Sequence, residues 1–335
     1  MIPPSAAGYR VRGAFNPGAI RVGDEILLLL RVAEDCPAAS EDEIAVPTVN
    51  IRDGQGVPGV LRVRRRDPDV QLKDTRGVVY RGRDYLSTIS HIRLARSRDG
   101  VNFTVDDEPF IFPSVASEIY GVEDARAVAI DGTYYINYTC VSADGWATAL
   151  ATTEDFRSIS RLGLIFHPEN KDVAIFPEKI GGKYHALHRP NNSGFGKPSI
   201  WHAESPDLLH WGNHRCLLRA RDTFWEEMKI GGGAPPIKTP EGWLAVYHAK
   251  GHDQIYSLFT VLLDLDDPTK VLRCGAEPFM TPEAAYETDG FFSNVLFSNG
   301  LIREDDDRIR LYYGAADEYT CLLETSVKEL MQTLA

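Results

Sequence analysis

The sequence predicts an all-β protein, a five-bladed β-propeller with a short C-terminal helix, on three observations. Five strand–turn–strand segments can be laid over one another along the chain. An Asp-centred turn interleaves with them, its aspartates Asp99, Asp155, Asp207 and Asp267 recurring at intervals of 56, 52 and 60 residues. Only residues 326–334 carry a helical pattern. Four strands per unit at such a period is the arithmetic of a propeller blade. A closed all-β array of 335 residues can run as one domain, so residues 1–335 are read as a single unit.

Each segment follows from short apolar runs separated by Gly, Asp and Pro, which are hairpin signals. The first runs through residues 15–20, turns at Gly23-Asp24 and returns through 26–32. Residues 33–83, rich in Pro, Asp and Arg, read as an inserted loop. The second covers residues 121–130, turns at Asp131-Gly132 and returns through 134–141. The third covers 175–180 and 184–189 around Gly181-Gly182, and the fourth 234–237 and 243–248 around Pro240-Glu241-Gly242. The fifth covers 293–297 and 309–317, with the acidic run Glu304-Asp305-Asp306-Asp307 as a solvated turn.

Composition narrows the function classes. A hydrophobic content of 43% is enough for a large core. The net charge of -12 argues against nucleic acid and anionic membranes as partners. No stretch has the roughly 18 apolar residues of a membrane span, and the N-terminus lacks the apolar segment of a signal peptide. Five scattered cysteines without CxxC spacing indicate neither a zinc site nor a disulfide framework; they read mostly as small buried hydrophobes in a cytoplasmic protein.

In a blade, the first strand runs outward along the central channel and the second returns. Starts of first strands and ends of second strands therefore share one face. That face collects Asn16, Glu123, Asp124, Arg126, Lys171, Asp172 and Lys229, with Arg31, His188, Arg189, His248 and Asp317 closing second strands. Charges that open an innermost strand are costly to bury unless paired or used. Asp124 reads either as a general acid or as one half of an ion pair with Arg126, and its convergence with the other rim residues favours the acid. Lys171, Arg189, Lys229 and His248 form a cationic cluster on an acidic protein and argue for an anion, phosphate being the natural one. Gly231-Gly232-Gly233 lacks the GKS/T ending of a phosphate loop. His188 and His248 have no third ligand at metal spacing, so no metal is expected. Tyr120, Tyr138, Trp146, Tyr286 and Tyr319 stand near the mouth without singling out a sugar-stacking ring.

The motifs FNPGA at 15–19, ARSRDG at 95–100, GVEDAR at 121–126, NKD at 170–172 and FPEKIGGKY at 176–184 belong together. With them stand LHRP at 187–190, SPDLLHWG at 205–212, KIGGGAPPI at 229–237, GWLAVYH at 242–248 and YYGAAD at 312–317. By these the chain resembles glycoside hydrolase family 130, the β-mannoside phosphorylases and β-1,2-mannosidases, over most of residues 15–317. The resemblance implies a five-bladed propeller in which Asp124 is the catalytic acid, protonating the glycosidic oxygen through a mannose hydroxyl while phosphate attacks with inversion. It implies phosphate binding by Lys171, Arg189, Lys229 and His248. Asn16, Arg31, His188 and Asp317 would bind sugar hydroxyls, with Glu123 and Arg126 completing that set as supports of Asp124.

The expected activity is phosphorolysis of β-1,2-linked mannobiose or short manno-oligosaccharides to α-mannose 1-phosphate, with inorganic phosphate as co-substrate and no cofactor. One alternative is a β-1,2-mannosidase, for which Glu226, Glu227 or Glu287 would supply the base that activates water. Another is a non-catalytic sugar-binding propeller. The insert and the C-terminal helix are candidate contacts in a homo-oligomer.

Overall fold

The computed structural model describes residues 2–73, 77–191 and 194–335. The chain is all-β, with a short C-terminal helix at Val327–Gln332. The sequence reading missed a helical turn at Ala285–Thr288 and a 3-10 turn at Ala116–Glu118, both too short to leave a periodic signal.

The strands form successive antiparallel meanders. The first unit contains Arg10–Val22, Glu25–Asp35, Thr88–Ser97 and Thr104–Val105, and the second Gly121–Ile130, Thr133–Ser142, Gly145–Thr153 and Ser160–Phe166. The third contains Asn170–Ile175, Tyr184–Pro190, Ile200–Ser205 and Gly212–Leu218. In the fourth, Lys229–Gly232 and Ile237–Thr239 both pair with Gly242–Lys250, which continues to Tyr256–Leu263 and Val271–Cys274. Leu296–Arg303, Arg308–Ala315 and Tyr319–Ser326 make the last unit, and its first strand meets the first strand of the chain in a parallel bridge between Gly18 and Asn299. Between the second and third strands of the first unit, where an inserted loop was expected over 33–83, lie a hairpin, Glu43–Arg52 with Gln55–Arg64, and a small sheet of Val70–Leu72, Gly77–Tyr80 and Arg83–Leu86.

Side chains alternate across each strand, so a strand between two neighbours feeds two cores. Leu27 and Leu29 pack with Val122, Ile136 and Tyr138 of the second unit. Their neighbours Ile26, Leu28 and Leu30 pack instead with Ile302 and Tyr312 of the last. The same alternation sends Trp243 and Tyr247 toward Phe176 and Leu187, and Leu244 and Val246 toward Leu296 and Leu311. Val128 and Leu150 meet Val173 and Ala186. Each unit thus shares a core with the next, and the last shares one with the first. Of the cysteines, Cys36 and Cys140 are buried, while Cys216, Cys274 and Cys321 are only half-buried.

The Asp-centred repeat has a local cause. Asp99 Oδ1 accepts from the amides of Val101 and Asn102 (both 2.8 Å), and Asp207 Oδ1 from Leu209 (2.9 Å) and His210 (2.8 Å). Asp155 Oδ1 accepts from Arg157 at 2.9 Å and Asp267 Oδ1 from Thr269 at 3.2 Å. These are Asx-type turns, in which a short acidic side chain takes the place of a backbone acceptor.

Candidate active site

Four first strands carry a β-bulge at matching positions, between Phe15 and Gly18, Glu123 and Arg126, Lys171 and Ala174, and Ser298 and Gly300. In three of them the bulge holds a non-glycine residue in the left-handed region: Asn16 (φ 48), Asp124 (φ 49) and Asp172 (φ 55). Asn and Asp tolerate this region best, and a bulge re-aims the side chain it carries. Close approach of the strands needs Gly18, where a Cβ would strike the Ala125 carbonyl oxygen.

Asp124 is 2% exposed. Its Oδ1 accepts from Asn16 Nδ2 at 3.0 Å and from Arg31 Nη1 at 3.2 Å. Arg31 also donates through Nη2 to Glu123 Oε1 at 2.9 Å and through Nε to Ser90 Oγ at 3.0 Å, and its guanidinium lies over the Phe15 ring. Burial alone would raise the Asp124 carboxyl, but Arg31, Lys171 and Asn16 outweigh it and hold it below the usual range. Asp317 behaves oppositely. Burial, together with the negative charges of Asp124 and Glu123, pushes it up to about 6 in spite of Arg31.

A second cluster centres on Asp172, which the sequence reading placed on the same face but left out of the site. Arg189 Nε donates to Asp172 Oδ2 at 2.6 Å, His248 Nε2 lies 3.5 Å from that oxygen, and Arg126 Nη2 is 3.7 Å from Oδ1. Burial would raise Asp172, yet these neighbours and Lys171 hold it far below the ordinary carboxylate range. Its signal was available, since Lys171-Asp172-Val173 repeats Glu123-Asp124-Ala125 one unit later. The glycine run at 231–233 also finds its reason here: a Cβ at Gly231 would collide with the Asp172 carboxylate and stand 2.6 Å from the His248 ring.

Lys229 is pushed down to about 7 by burial and by the charges of Arg189 and Lys171, and its ammonium lies 5.2 Å from the centre of the Tyr256 ring. His248 corrects the sequence reading of four cations. It is 1% exposed, and burial, with Arg189 and Lys229 beside it, pushes it down to about 3, so it stands neutral against Phe297 at 4.4 Å.

Two expected sugar-binding residues are occupied elsewhere. Arg126 donates to the carbonyls of Gly233 (2.8 Å), Gly232 (2.9 Å) and Asp124 (3.1 Å), bracing its own strand against the first strand of the fourth unit. His188 is not brought to Asp124. In a strand it faces away from Leu187 and Arg189, and its ring sits on Phe166 with Nδ1 3.0 Å from the Asn170 amide and Nε2 3.1 Å from His214 Nδ1. Burial pushes it down to about 3. His188→Ala is therefore expected to lower the thermal midpoint and leave KM for sugar near its original value, as thermal melts and initial rates would show.

The three glutamates considered as bases are engaged. Glu226 accepts from Arg221 (2.7 Å) and from the Tyr247 hydroxyl (2.8 Å), and Glu287 from the Tyr313 hydroxyl (2.7 Å). Exposed Glu227 pairs with His252 at 2.7 Å. Glu118 repeats the pattern by accepting from Tyr138 at 2.8 Å, which makes Tyr138 a core residue. No group of three or more metal-ligating side chains occurs among the described residues, and no helix there is long and apolar enough to cross a membrane.

The family model described as beta-1,4-mannooligosaccharide phosphorylase matches residues 67–335, and the chain belongs to that family, glycoside hydrolase family 130. The chain is 42% identical over 338 residues to the Beta-1,2-mannobiose phosphorylase of Listeria innocua serovar 6a, covering 99% of this chain and 94% of that one. A structure of a Listeria innocua Beta-1,2-Mannobiose phosphorylase in complex with beta-1,2-mannobiose superposes with a TM-score of 0.93 over 99% of this chain and 95% of that one. The 1,2-beta-oligomannan phosphorylase of a Thermoanaerobacter species is 41% identical over 249 residues, 72% of this chain and 82% of that one.

Proposed function

We propose that the chain is a β-mannoside phosphorylase that cleaves β-1,2-linked mannobiose and short β-1,2-mannosides by inverting phosphorolysis, releasing α-mannose 1-phosphate. The observation that carries this reading is a charge surplus. Arg126, Arg189, Lys171 and Lys229 all act on one buried carboxylate, Asp172. Uncompensated buried cations are costly, and a phosphate dianion held among them would balance the charge. The two phosphorylases described above, each more than 40% identical, point the same way.

In this reading Asp124 is the acid, working through a sugar hydroxyl, and Asn16, Arg31 and Asp317 hold the sugar. Arg189, Lys229, Lys171 and His248 set phosphate in line with the anomeric carbon. Phosphate is already a nucleophile, so no second carboxylate base is needed. The engagement of Glu226 and Glu287 by tyrosines favours phosphorolysis over hydrolysis.

We further propose that residues 1–335 form one five-bladed propeller, with residues 33–83 inserted between strands of the first blade. The chain of shared cores that returns from the last unit to the first supports it. So does the parallel bridge between Gly18 and Asn299. Five unpaired thiols accord with a reducing cytoplasm.

The test is incubation with β-1,2-mannobiose, with and without phosphate. Mannose 1-phosphate formed only with phosphate is the expected product, and phosphate-independent release of two mannoses would overturn the proposal. Lys229→Ala should raise KM for phosphate about 10- to 100-fold, the effect of losing a charged hydrogen bond of roughly 1.5–3 kcal/mol. Because Lys229 gains its charge below a pKa of about 7, KM for phosphate in the unaltered protein should rise as pH increases through that value. Lys229→Ala should remove that component of the pH dependence.

A further inference from the structure

Lys229 is half-buried, yet among the described residues no carboxylate bonds its ammonium. Lysines elsewhere on the chain are held by carboxylates, as Lys183 is by Glu204 at 2.5 Å and Lys238 by Glu178 at 2.6 Å. Lys229 rests on a ring instead, its Nζ 5.2 Å from the centre of Tyr256. Lys250 Nζ lies 5.4 Å from the same centre.

Strand register produces this meeting. In the fourth unit Lys229 pairs with Lys250, and Lys250 with Tyr256, so the three stand in one row across three strands. Directly opposite residues share a face of the sheet. His248, two residues before Lys250, is on that face as well and lies against Asp172. Tyr256 is fixed through backbone and ring. Its amide donates to the Asn294 carbonyl at 2.9 Å, and its ring stacks on His248 with 6.0 Å between centres and 29° between planes. His248 packs in turn on Phe297 at 4.4 Å, so Phe297, neutral His248 and Tyr256 make a row of rings that ends at the two lysines. Like charges directly opposite in a sheet repel. A carboxylate between them would relieve the repulsion, but it would also cancel their charge toward an incoming anion. An aromatic face relieves it without that loss, because its quadrupole attracts a cation while the ring carries no net charge.

We propose that Tyr256 is a positioning residue for phosphate binding, its ring face holding the Lys229 ammonium beside the Asp172 cluster with its positive charge undiminished. The role in phosphate binding rests on the phosphorylase reading; the hold of the ring on Lys229 does not. The groups facing Lys229 are Arg189, Lys171 and Asp172 from the third unit and Lys250 from its own. Three of those four are cations, which disfavour its charged form, and the ring opposes them. An ammonium has three donors, so Lys229 can keep its place on the ring and still donate to a phosphate oxygen.

The test compares Tyr256→Phe, which keeps the ring, with Tyr256→Leu, which keeps apolar bulk without the quadrupole. Tyr256→Leu should raise KM for phosphate about 2- to 30-fold, the range of a lost cation–π contact. In the same variant kcat at saturating phosphate and KM for β-1,2-mannobiose should change far less. Tyr256→Phe should keep the KM for phosphate of the unaltered protein. In a Lys229→Ala background Tyr256→Leu should add nothing, because its effect passes through that ammonium. A Tyr256→Phe as harmful as Tyr256→Leu, or an undiminished effect of Tyr256→Leu without Lys229, would overturn the assignment. Carbon-13 NMR of lysine-labelled protein reads the contact without turnover, and it serves where Tyr256→Leu does not fold. The Lys229 resonance should titrate near pH 7 in the unaltered protein and in Tyr256→Phe. It should titrate at lower pH when a trifluorinated phenylalanine replaces Tyr256, since that ring keeps its shape and loses its negative face. An unmoved titration would overturn the assignment whether or not phosphate is turned over. Absence of any phosphorolysis beside the expected NMR shift would count against the phosphorylase reading and leave the ring contact standing.

Discussion

Asp124→Asn is expected to lower kcat for phosphorolysis by about 10²- to 10⁴-fold, the range that a positioned general acid contributes. The substitution keeps the shape of the side chain and an oxygen for Asn16 Nδ2 to donate to, while Arg31 keeps its bonds to Glu123 and Ser90. The fold and phosphate binding should therefore survive, and KM for phosphate should change far less than kcat. That split separates loss of the acid from collapse of the site, because Arg189 and His248 lie against Asp172 and not against Asp124. Initial rates across phosphate concentrations, with a melting curve of the variant, check it. Retention of full activity would remove Asp124 from the mechanism.

Much of this arrangement was legible in the sequence because it is carried by repetition. The turn after each third strand needs a short acidic side chain, so Asp99, Asp155 and Asp207 mark the period directly. Bulged first strands need Asn or Asp in the left-handed region, so Asn16 and Asp124 stand out at matching places. What failed did so for reasons of direction and dielectric. His188 lies at the end of a second strand as expected, but strand alternation turns it into the core between the second and third units, against Phe166. His248 points into the site, yet burial keeps it neutral, which no linear pattern reveals. Asp172 was placed on the mouth but left out of the site, because its neighbours in the chain, Lys171 and Val173, show nothing of the two arginines that folding brings to it.

The bulges also tie the two halves of the site together. Arg126, two residues after Asp124, spans from the Asp124 carbonyl to the carbonyls of Gly232 and Gly233 and lies beside Asp172. Asp124 and the cation cluster around Asp172 are thus held by one buried side chain, which in the proposed mechanism fixes the separation an in-line attack depends on.

Asp172→Ala is the substitution expected to cost most in the folded state. It would leave Arg189, 3% exposed, and Arg126, 1% exposed, without their shared carboxylate. Removing one partner of a buried charge pair costs about 3–5 kcal/mol. With an unfolding entropy of about 2 cal/mol/K per residue, a chain of this length should then melt roughly 4–7 °C lower. The pH dependence carries its own sign. Asp172 is held far below its unfolded range, so its contribution to stability is present above that range and is lost only as the pH falls toward its folded value. The variant should consequently lose its disadvantage in strong acid, and the two melting curves should converge as pH is lowered. In assays it should also lose phosphate affinity, because Arg189 and His248 would no longer be held in place. Unchanged melting at neutral pH together with an unchanged KM for phosphate would show that the cation cluster does not depend on this carboxylate.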